Sequence, residues 1–296
     1  MKKYISFDIG GTKVKYSLLL EDGTFLKKNE YLTRKKNLDE FLNDLFSIVT
    51  GYESNNSISG ISVSMPGFVN PKTGYTEFAG AITVLNNKNL KSILEDRFPY
   101  QVEIENDCNC VALAEKFNGN AKNCRDFVCV TIGTGVGGSI FLNNAIYHGH
   151  SFKAGEIGYM LTPGSQIGNE VLNDNSSTSG LINMYRKYKD IDKSKTIDGK
   201  AVFKEAKTDK QVNLLIDKWI EKISFGILNV TAVVNPEKIL IGGGVSVQKE
   251  IIPKLENNLK KLIWWDFIKV PIEYCEYQND AGMIGALYNF LIQNKK

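Results

Sequence analysis

Hydrophobic and polar positions near the amino terminus alternate as strands require. Three alternating runs open the chain, and the turn from Glu21 to Gly23 separates the second from the third: YISFDIG, KVKYSLLL and TFLKKNEYL. Alternating runs joined by a tight turn are typical of a β-hairpin. The apolar residues of NLDEFLNDLFSIVTGY then recur at helical spacing, with Asn37 as a candidate N-cap. The opening therefore predicts three strands followed by a helix.

The same order of elements returns further along the chain. The runs SGISVSMPG and YQVEIEN predict strands before the helix CNCVALAEKF, and DFVCVTIG with GVGGSIFLN predicts a second strand pair. A long apolar-periodic stretch predicts a helix that ends at Asn235 and Pro236, before the strands KILIGGG and VPIEYCEY and a closing helix, AGMIGALYNFLI. Two α/β halves that face each other across a cleft are the simplest interpretation.

A loop rich in glycine and asparagine, residues 118–123, marks the predicted boundary between these halves. We expect a smaller amino-terminal lobe over residues 1–118, completed by the carboxy-terminal helix 281–296. The larger lobe then spans residues 119–280. A chain of 296 residues is long enough for two lobes that each have a core.

Composition and charge exclude several classes of partner. Lys and Arg number 36 against 33 Asp and Glu, so the net charge of +3 gives no electrostatic case for nucleic acid or an anionic membrane. The chain shows neither a signal peptide nor an apolar run long enough to span a bilayer, and we expect a cytoplasmic protein. The odd number of cysteines matches no paired zinc pattern, which favours buried thiols.

A first glycine turn, DIGGTKVK, joins two predicted strands and carries candidate chemistry. Glycines let the backbone approach a bulky anion, and the neighbouring Thr and Lys add donors: Gly10, Gly11, Thr12 and Lys13. Asp8, at the end of the preceding strand, is suited to hold the water shell of a magnesium ion. Taken alone, the same residues could form an ordinary hairpin turn.

Two further glycine turns strengthen the interpretation. The second, TIGTGVGGSI, presents Gly133, Thr134 and Gly135 and leads into a strand-like run, which excludes a dinucleotide-binding fingerprint, since that requires a helix after the glycines. No Lys-Ser or Lys-Thr pair closes a P-loop. The third turn, Gly242 to Gly244, ends a predicted buried strand and leaves room for a flat ring or ribose. Together the three turns indicate a nucleotide site.

Six motifs occur in the order found in a known family: FDIGGTKVK, VSMPGFVNPKTG, IENDCNCVALAE, TIGTGVGGSI, KAGEIGY and ILIGGGVS. In these the chain resembles the ROK family of sugar kinases and sugar-responsive repressors over almost its whole length. The resemblance implies a two-lobed α/β, actin-like ATPase (ribonuclease-H-like) fold with mixed sheets and a central cleft. The segment PGFVNPKTG followed by GAI is most similar to bacterial β-glucoside kinases, and zinc-free N-acetylmannosamine kinases are also similar.

This resemblance implies an ATP-dependent kinase that phosphorylates the 6-hydroxyl of a hexose or hexose derivative. Asp107 would be the general base, and sugar would contact Gly67, Asn106 and Glu156. ATP phosphates would lie against the first two glycine turns, with magnesium near Asp8. Locally, however, the position of Asp107 between a strand and a helix also fits a helix N-cap.

The chain departs from the family at its zinc motif. Tyr159 stands where zinc-binding members have a histidine, and no cysteine lies between Cys129 and Cys275, so we expect no zinc site. A glutamate that binds sugar in the family aligns loosely with Asn173. We expect the polar loop 164–178 to influence which sugar is bound.

Alternatives remain open at this point. A non-catalytic sugar sensor of the ROK type, or an actin-like or chaperone ATPase, could share the fold. A ROK repressor would carry a helix-turn-helix before the first strand, and the sequence begins at that strand. The sugar could be a β-glucoside, N-acetylmannosamine or glucose, and the resemblance implies a homodimer.

Overall fold

The computed structural model describes residues 1–163 and 170–295, which form two compact units. Among the described residues, the first unit contains 1–123, 146–154 and 279–295, and the second contains 124–145, 155–163 and 170–278. This division differs from the sequence-based one in residues 119–123, 146–154 and 279–280, all of which the sequence places in the larger lobe and the structure places in the first unit. The segment 146–154 packs with the first unit, and its side chains contact residues far away in sequence, such as Glu105 and Glu77, which sequence order alone does not reveal.

The first unit is built on a mixed sheet with strand order β3-β2-β1-β4-β8. β1 pairs antiparallel with β2 and parallel with β4, and β4 pairs parallel with β8. Every residue of β4 is buried, as expected for a central strand covered on both faces. The strands are β1 Lys3–Ile9, β2 Lys13–Leu20, β3 Phe25–Leu32, β4 Gly60–Met65 and β8 Val102–Asn106.

Helices and a small second sheet complete this part of the first unit. The N-cap predicted at Asn37 is confirmed, because its side chain accepts from the backbone N–H groups of Asp39 and Glu40. A three-stranded sheet that the sequence analysis did not predict follows β4. The helices are α1 Leu38–Glu53, α2 Leu90–Arg97 and α3 Asp107–Asn118, and the small sheet contains β5 Phe68–Val69, β6 Tyr75–Phe78 and β7 Lys88–Asn89.

The second unit repeats the plan of the first around a sheet of order β11-β10-β9-β12-β13. Here too the first two strands, β9 and β10, pair antiparallel, and β9 and β13 pair parallel with β12. The strands are β9 Phe127–Ile132, β10 Val136–Leu142, β11 Ala145–Ile146, β12 Lys238–Gly242 and β13 Ile272–Tyr274.

The long helix of the second unit carries much of its core. It ends as predicted at Asn235, whose left-handed backbone directs its N–H group to the Thr231 carbonyl. Trp219 on this helix is fully buried and donates from its indole to the Ser177 carbonyl at 2.9 Å. The helices of this unit are α4 Leu172–Ser176, α5 Thr178–Lys189, α6 Gly199–Ala206, α7 Lys210–Val234, α8 Ile251–Leu259 and α9 Trp265–Ile268.

The closing helix α10, Ala281–Gln293, returns to the first unit. It packs closely on α3, because a Cβ atom at Gly285 would stand 1.8 Å from the Cys110 carbonyl oxygen. The hydroxyl of Ser6 on β1 donates to the Met283 carbonyl at 2.8 Å. Within the described ranges, no helix combines the length and the apolar character needed to cross a membrane.

Candidate active site

The junction between β8 and α3 places Asn106 and Asp107 side by side. Asn106 is the N-cap of α3, since its Oδ1 atom accepts from the N–H groups of Cys108 at 2.8 Å and Asn109 at 3.1 Å. Asp107 is the first residue of the helix. The capping interpretation considered for Asp107 is therefore wrong, because its neighbour Asn106 is the N-cap.

Asn106 also contacts Gly67. Its Nδ2 group donates to the Gly67 carbonyl at 3.0 Å, which leaves one N–H of the amide for a ligand. Gly67 has a positive φ of 97°, and a Cβ atom there would lie 1.8 Å from the Phe78 carbonyl oxygen. Both the positive φ and the closeness of β6 therefore require a glycine at this position, independently of any role in substrate binding.

The carboxylate of Asp107 lies in an environment that favours its protonated form. Burial raises the pKa of Asp107, and the negative charge of Asp8 raises it further. A hydrogen bond from the Cys108 N–H to Oδ1, 2.9 Å long, opposes this shift. A carboxylate with a raised pKa is a stronger base than an exposed aspartate, which suits it to accept a proton from a hydroxyl.

Asp8 is held at the end of β1 by its neighbours in the sheet. Ser64 donates to its Oδ1 atom at 3.0 Å, and the Lys15 ammonium lies 3.2 Å from Oδ2. A Cβ atom at Gly282 would stand 2.4 Å from the Asp8 carboxyl carbon, so the first turn of α10 packs against this group. Sequence reasoning missed Lys15, although the hairpin register that pairs it with Asp8 was a signal that could have found it.

The first glycine turn closes with a bond from the Gly10 N–H to the Lys13 carbonyl, 3.0 Å long. A Cβ atom at Gly11 would lie 2.9 Å from that of Ala81, so this turn has little spare room. Thr12 is exposed. The Lys13 ammonium forms an exposed ion pair with Glu30 on β3, so in this structure it is engaged away from the Asp8 carboxylate.

Glu105, the residue before Asn106, is a second group that sequence reasoning missed. Its side chain is buried, and Oε1 accepts from the Asn106 N–H at 2.8 Å and from the Asn109 side-chain amide at 2.9 Å. Its other oxygen lies 2.8 Å from Nε2 of His148. A buried carboxylate is stable only when it is paired or hydrogen-bonded in this way.

The second glycine turn, in the second unit, presents an open backbone. The Gly133 N–H donates to the Gly135 carbonyl at 2.8 Å, and a Cβ atom at Gly133 would meet nothing within 4 Å. Asn173 buttresses this turn, since its Oδ1 atom accepts from the Val136 N–H at 3.1 Å. Thr134 at the tip of the turn is exposed.

The start of α5 and the third glycine turn lie beside the second. Thr178 donates its backbone N–H to the Gly133 carbonyl, and Ser179 donates its hydroxyl to the Thr134 carbonyl at 2.8 Å. Gly243 has a φ of 82°, and its Cβ atom would stand 2.5 Å from the Ile132 carbonyl oxygen. The structure therefore brings together Gly133 to Gly135, predicted for phosphates, and Gly242 to Gly244, predicted for a ring or ribose.

A pocket of about 220 Å³ opens along α5, next to this cluster. It combines apolar walls with cationic and hydroxyl groups, a lining that suits an anionic ligand with an apolar part: Ser179, Ile182, Asn183, Arg186, Lys193, Ser194, Lys195, Thr196 and Ile197. The Arg186 Nε atom is buried, and no hydrogen-bond partner for it exists in the described part of the chain.

Glu156 follows the second turn in the same unit. Gly155, with a φ of 85°, would place a Cβ atom 2.9 Å from the Gly138 carbonyl oxygen, so this segment lies tightly on β10. Tyr159 is exposed, and no group of three or more His, Cys, Asp or Glu side chains that could hold a metal occurs among the described residues. Residues 164–169 of the loop predicted to influence sugar choice lie outside the described residues.

Comparison with known proteins identifies the family. The model of the ROK family matches residues 4–293. The chain belongs to the ROK family. A β-glucoside kinase from Listeria innocua is 35% identical over 300 residues, which cover 99% of each chain. Another β-glucoside kinase, from Klebsiella pneumoniae, is 32% identical over 97% of this chain and 96% of that one.

Solved structures of ROK proteins agree with the fold. Lmo2764 from Listeria monocytogenes, a candidate N-acetylmannosamine kinase, superposes with a TM-score of 0.90 at 34% identity and covers 99% of this chain and 100% of that one. A ROK glucokinase from Streptomyces griseus, in complex with glucose and AMPPNP, gives a TM-score of 0.83 over 96% and 98% of the chains. At 22% identity the latter supports the fold alone. The protein thus has the α/β, actin-like ATPase fold expected from its motifs.

Proposed function

We propose that this protein, a sugar kinase of the ROK family, transfers the γ-phosphoryl group of ATP to the 6-hydroxyl of a β-glucoside. The observation that carries the proposal is the Asp107 carboxylate, which begins α3 and whose pKa is raised by burial and by Asp8. Phosphoryl transfer requires a carboxylate that accepts the proton of the attacking hydroxyl and groups that position the acceptor.

Asp107 is the general base in this proposal. The proton of the 6-hydroxyl passes to the Asp107 carboxylate as the oxygen attacks the γ-phosphorus, and the bond to the β-phosphate oxygen breaks. Oδ1 is held by the Cys108 N–H, so Oδ2 is the better placed acceptor. General-base catalysis of this kind contributes about 10²- to 10⁴-fold.

Asn106 and Glu156 are the polar residues that we propose to bind the sugar hydroxyls. Asn106 has one N–H left for a ring hydroxyl, and Glu156 supplies a carboxylate that accepts from hydroxyls. We assign Asn173 to the second glycine turn, because its Oδ1 atom already holds the Val136 N–H. Because Gly67 has no side chain, the sugar can approach the backbone next to Asn106.

The glycine turns and the paired carboxylates fit a nucleotide with a divalent cation. ATP supplies the phosphoryl group, and the cation, for which magnesium is the expected metal, neutralises phosphate charge. The backbone at Gly133 is open, as close approach of a phosphate requires, and Asp8 with Asp107 forms an anionic centre that favours a cation. Asp8 would hold the metal through water, and the pocket along α5 would hold the apolar part of the nucleotide.

A coupled assay of ADP release tests the activity. We expect cellobiose or salicin to raise the rate at least tenfold above the sugar-free rate, and phosphorus NMR of the product to show a 6-phosphate. ATP turnover that does not depend on sugar would favour an actin-like or chaperone ATPase. Sugar binding by calorimetry without turnover would favour a non-catalytic sensor.

N-Acetylmannosamine is the second candidate substrate. The TM-score of 0.90 to Lmo2764 favours it, since that protein is a candidate N-acetylmannosamine kinase. The same assay separates the two, because kcat/KM for N-acetylmannosamine should be lower than for cellobiose under our proposal.

We also propose that the protein is a homodimer, and light scattering on the purified protein tests this.

A further inference from the structure

The segment Ile146–Ala154 has an unusual place in the chain. It is preceded and followed by residues of the second unit, yet it belongs to the first. The Ala154 N–H donates to the His148 carbonyl at 3.2 Å, which closes the segment into a loop. Its last residue leads directly into Gly155 and Glu156, and Glu156 is one of the proposed sugar ligands.

The main anchor of this loop is the contact between His148 and Glu105. Nε2 of His148 lies 2.8 Å from Oε2 of Glu105, whose side chain is 1% exposed. The other oxygen of the same carboxylate holds the Asn106 N–H and the Asn109 amide. One buried carboxylate thus fixes both the start of α3, which carries Asn106 and Asp107, and the loop that leads to Glu156.

Further contacts hold the loop to the small sheet beside Gly67. The Lys153 ammonium pairs with Glu77 on β6 and lies 4.9 Å from the centre of the Phe68 ring on β5. Phe152 adopts a positive φ of 60° and packs its ring edge-on against His148, 6.1 Å between centroids. Bulky residues rarely adopt this backbone conformation, and it persists only where the surroundings enforce it.

We propose that His148 is a positioning residue for sugar binding, which acts by fixing the loop Ile146–Ala154 to Glu105. The inference rests on the proposed function, because it names the sugar as the ligand that benefits. When the loop is fixed, the chain that leads into Glu156 is already ordered, so sugar binding costs less conformational entropy. Loss of the anchor therefore weakens binding in the ground state and the transition state alike, which raises KM for the sugar with little change in kcat.

The test compares three variants of the full-length chain. His148→Phe keeps a ring against Phe152 and removes the donor to Glu105, whereas His148→Gln keeps a donor at a similar distance. His150→Phe makes the same change at an exposed histidine two residues away and is the matched control. Measurements are KM for sugar and for ATP, kcat, and hydrogen exchange of the loop by mass spectrometry.

For His148→Phe we expect KM for the sugar to rise about tenfold, with KM for ATP and kcat within about twofold of wild type. Hydrogen exchange should accelerate in residues 146–154, and thermal unfolding shows whether the variant folds. His148→Gln should recover most of the sugar affinity, and His150→Phe should match wild type.

Three results would overturn the inference. The first is an unchanged KM for sugar in a His148→Phe variant that folds. The second is an equal loss of affinity for sugar and ATP, which would indicate general destabilisation, and the third is unaltered hydrogen exchange of the loop in that variant. None of these results bears on the proposed kinase activity, which is tested by sugar-dependent release of ADP in the wild-type protein. Hydrogen exchange of residues 146–154 can be measured even if the protein has no kinase activity. Unaltered exchange in His148→Phe would show that the contact with Glu105 does not hold the loop.

Discussion

The two five-stranded sheets of the described residues share one strand order, but the side chains at corresponding positions differ. Asp8 lies two residues before the first glycine turn and pairs in register with Lys15 and Ser64. Thr131 lies two residues before the second turn and pairs with Gly137 and Gly242. One position is thus surrounded by charged and hydroxyl groups, and its counterpart by glycines.

The same strand order therefore carries different chemistry in its two copies. In the first unit this position carries a carboxylate, a group that suits a cation, and in the second it lies among glycines, whose open backbone suits phosphate oxygens. Glycines at the second turn keep Cβ atoms out of the way, as the empty space around Gly133 indicates. The following predictions test whether this difference in chemistry holds.

The largest effect is expected for Asp107→Asn. The amide keeps an acceptor for the Cys108 N–H, so the variant should fold and bind sugar, but it cannot take the proton of the attacking hydroxyl. We expect kcat to fall by about 10²- to 10⁴-fold. Steady-state kinetics with circular dichroism and sugar titration check this, and a rate within tenfold of wild type would remove Asp107 from the mechanism.

Asp8→Asn should lower kcat by roughly a hundredfold at neutral pH, since it removes the carboxylate proposed to hold the cation. The variant should also lose activity at a lower pH than wild type does. Asp107 must be ionised to accept a proton, so the activity of wild type is lost as the pH falls through the pKa of Asp107, which the charge of Asp8 raises. Without that charge the pKa of Asp107 falls, and the acidic side of the pH–activity profile should move to lower pH. If the acidic side of the profile is at the same pH in Asp8→Asn and in wild type, a group other than Asp107 controls it.

Gly133→Ala tests the open backbone of the second turn. The new methyl group would meet no protein atom within 4 Å, so stability should hold while the affinity for ATP drops about tenfold. Gly51→Ala on α1 is the matched control, because its methyl group also meets nothing within 4 Å. Fluorescence titration of a nucleotide analogue measures the affinity. Unchanged binding in Gly133→Ala would move the phosphates away from this turn.

The smallest effect is expected for Lys13→Met. Its ammonium is paired with Glu30 on the surface, and solvent screening makes an exposed ion pair of this kind weak. KM for ATP should therefore stay within about twofold of wild type, with Glu30→Gln as the control. A rise of tenfold or more would show that Lys13 leaves Glu30 to bind phosphate, as the motif suggested.

Much of the fold follows from local pattern. The hairpin at Glu21 to Gly23, the Asn37 cap and the end of α7 at Asn235 were predicted because alternation, capping and turn preferences act within a few residues. The small sheet β5-β6-β7 was not predicted. Its strands are two to four residues long, too short for a periodic signal, and tertiary contacts stabilise them.

By itself, the sequence determined the candidate residues, since glycine turns and paired polar residues are visible as spacing. Tertiary structure alone decided the partners that are distant in the chain: Asn173 at the second turn, and His148 on Glu105. The reason is that local propensities act between near neighbours in the chain, whereas burial of a charge requires partners that only folding brings near. Glu105 shows this most clearly, because its partner His148 is 43 residues away.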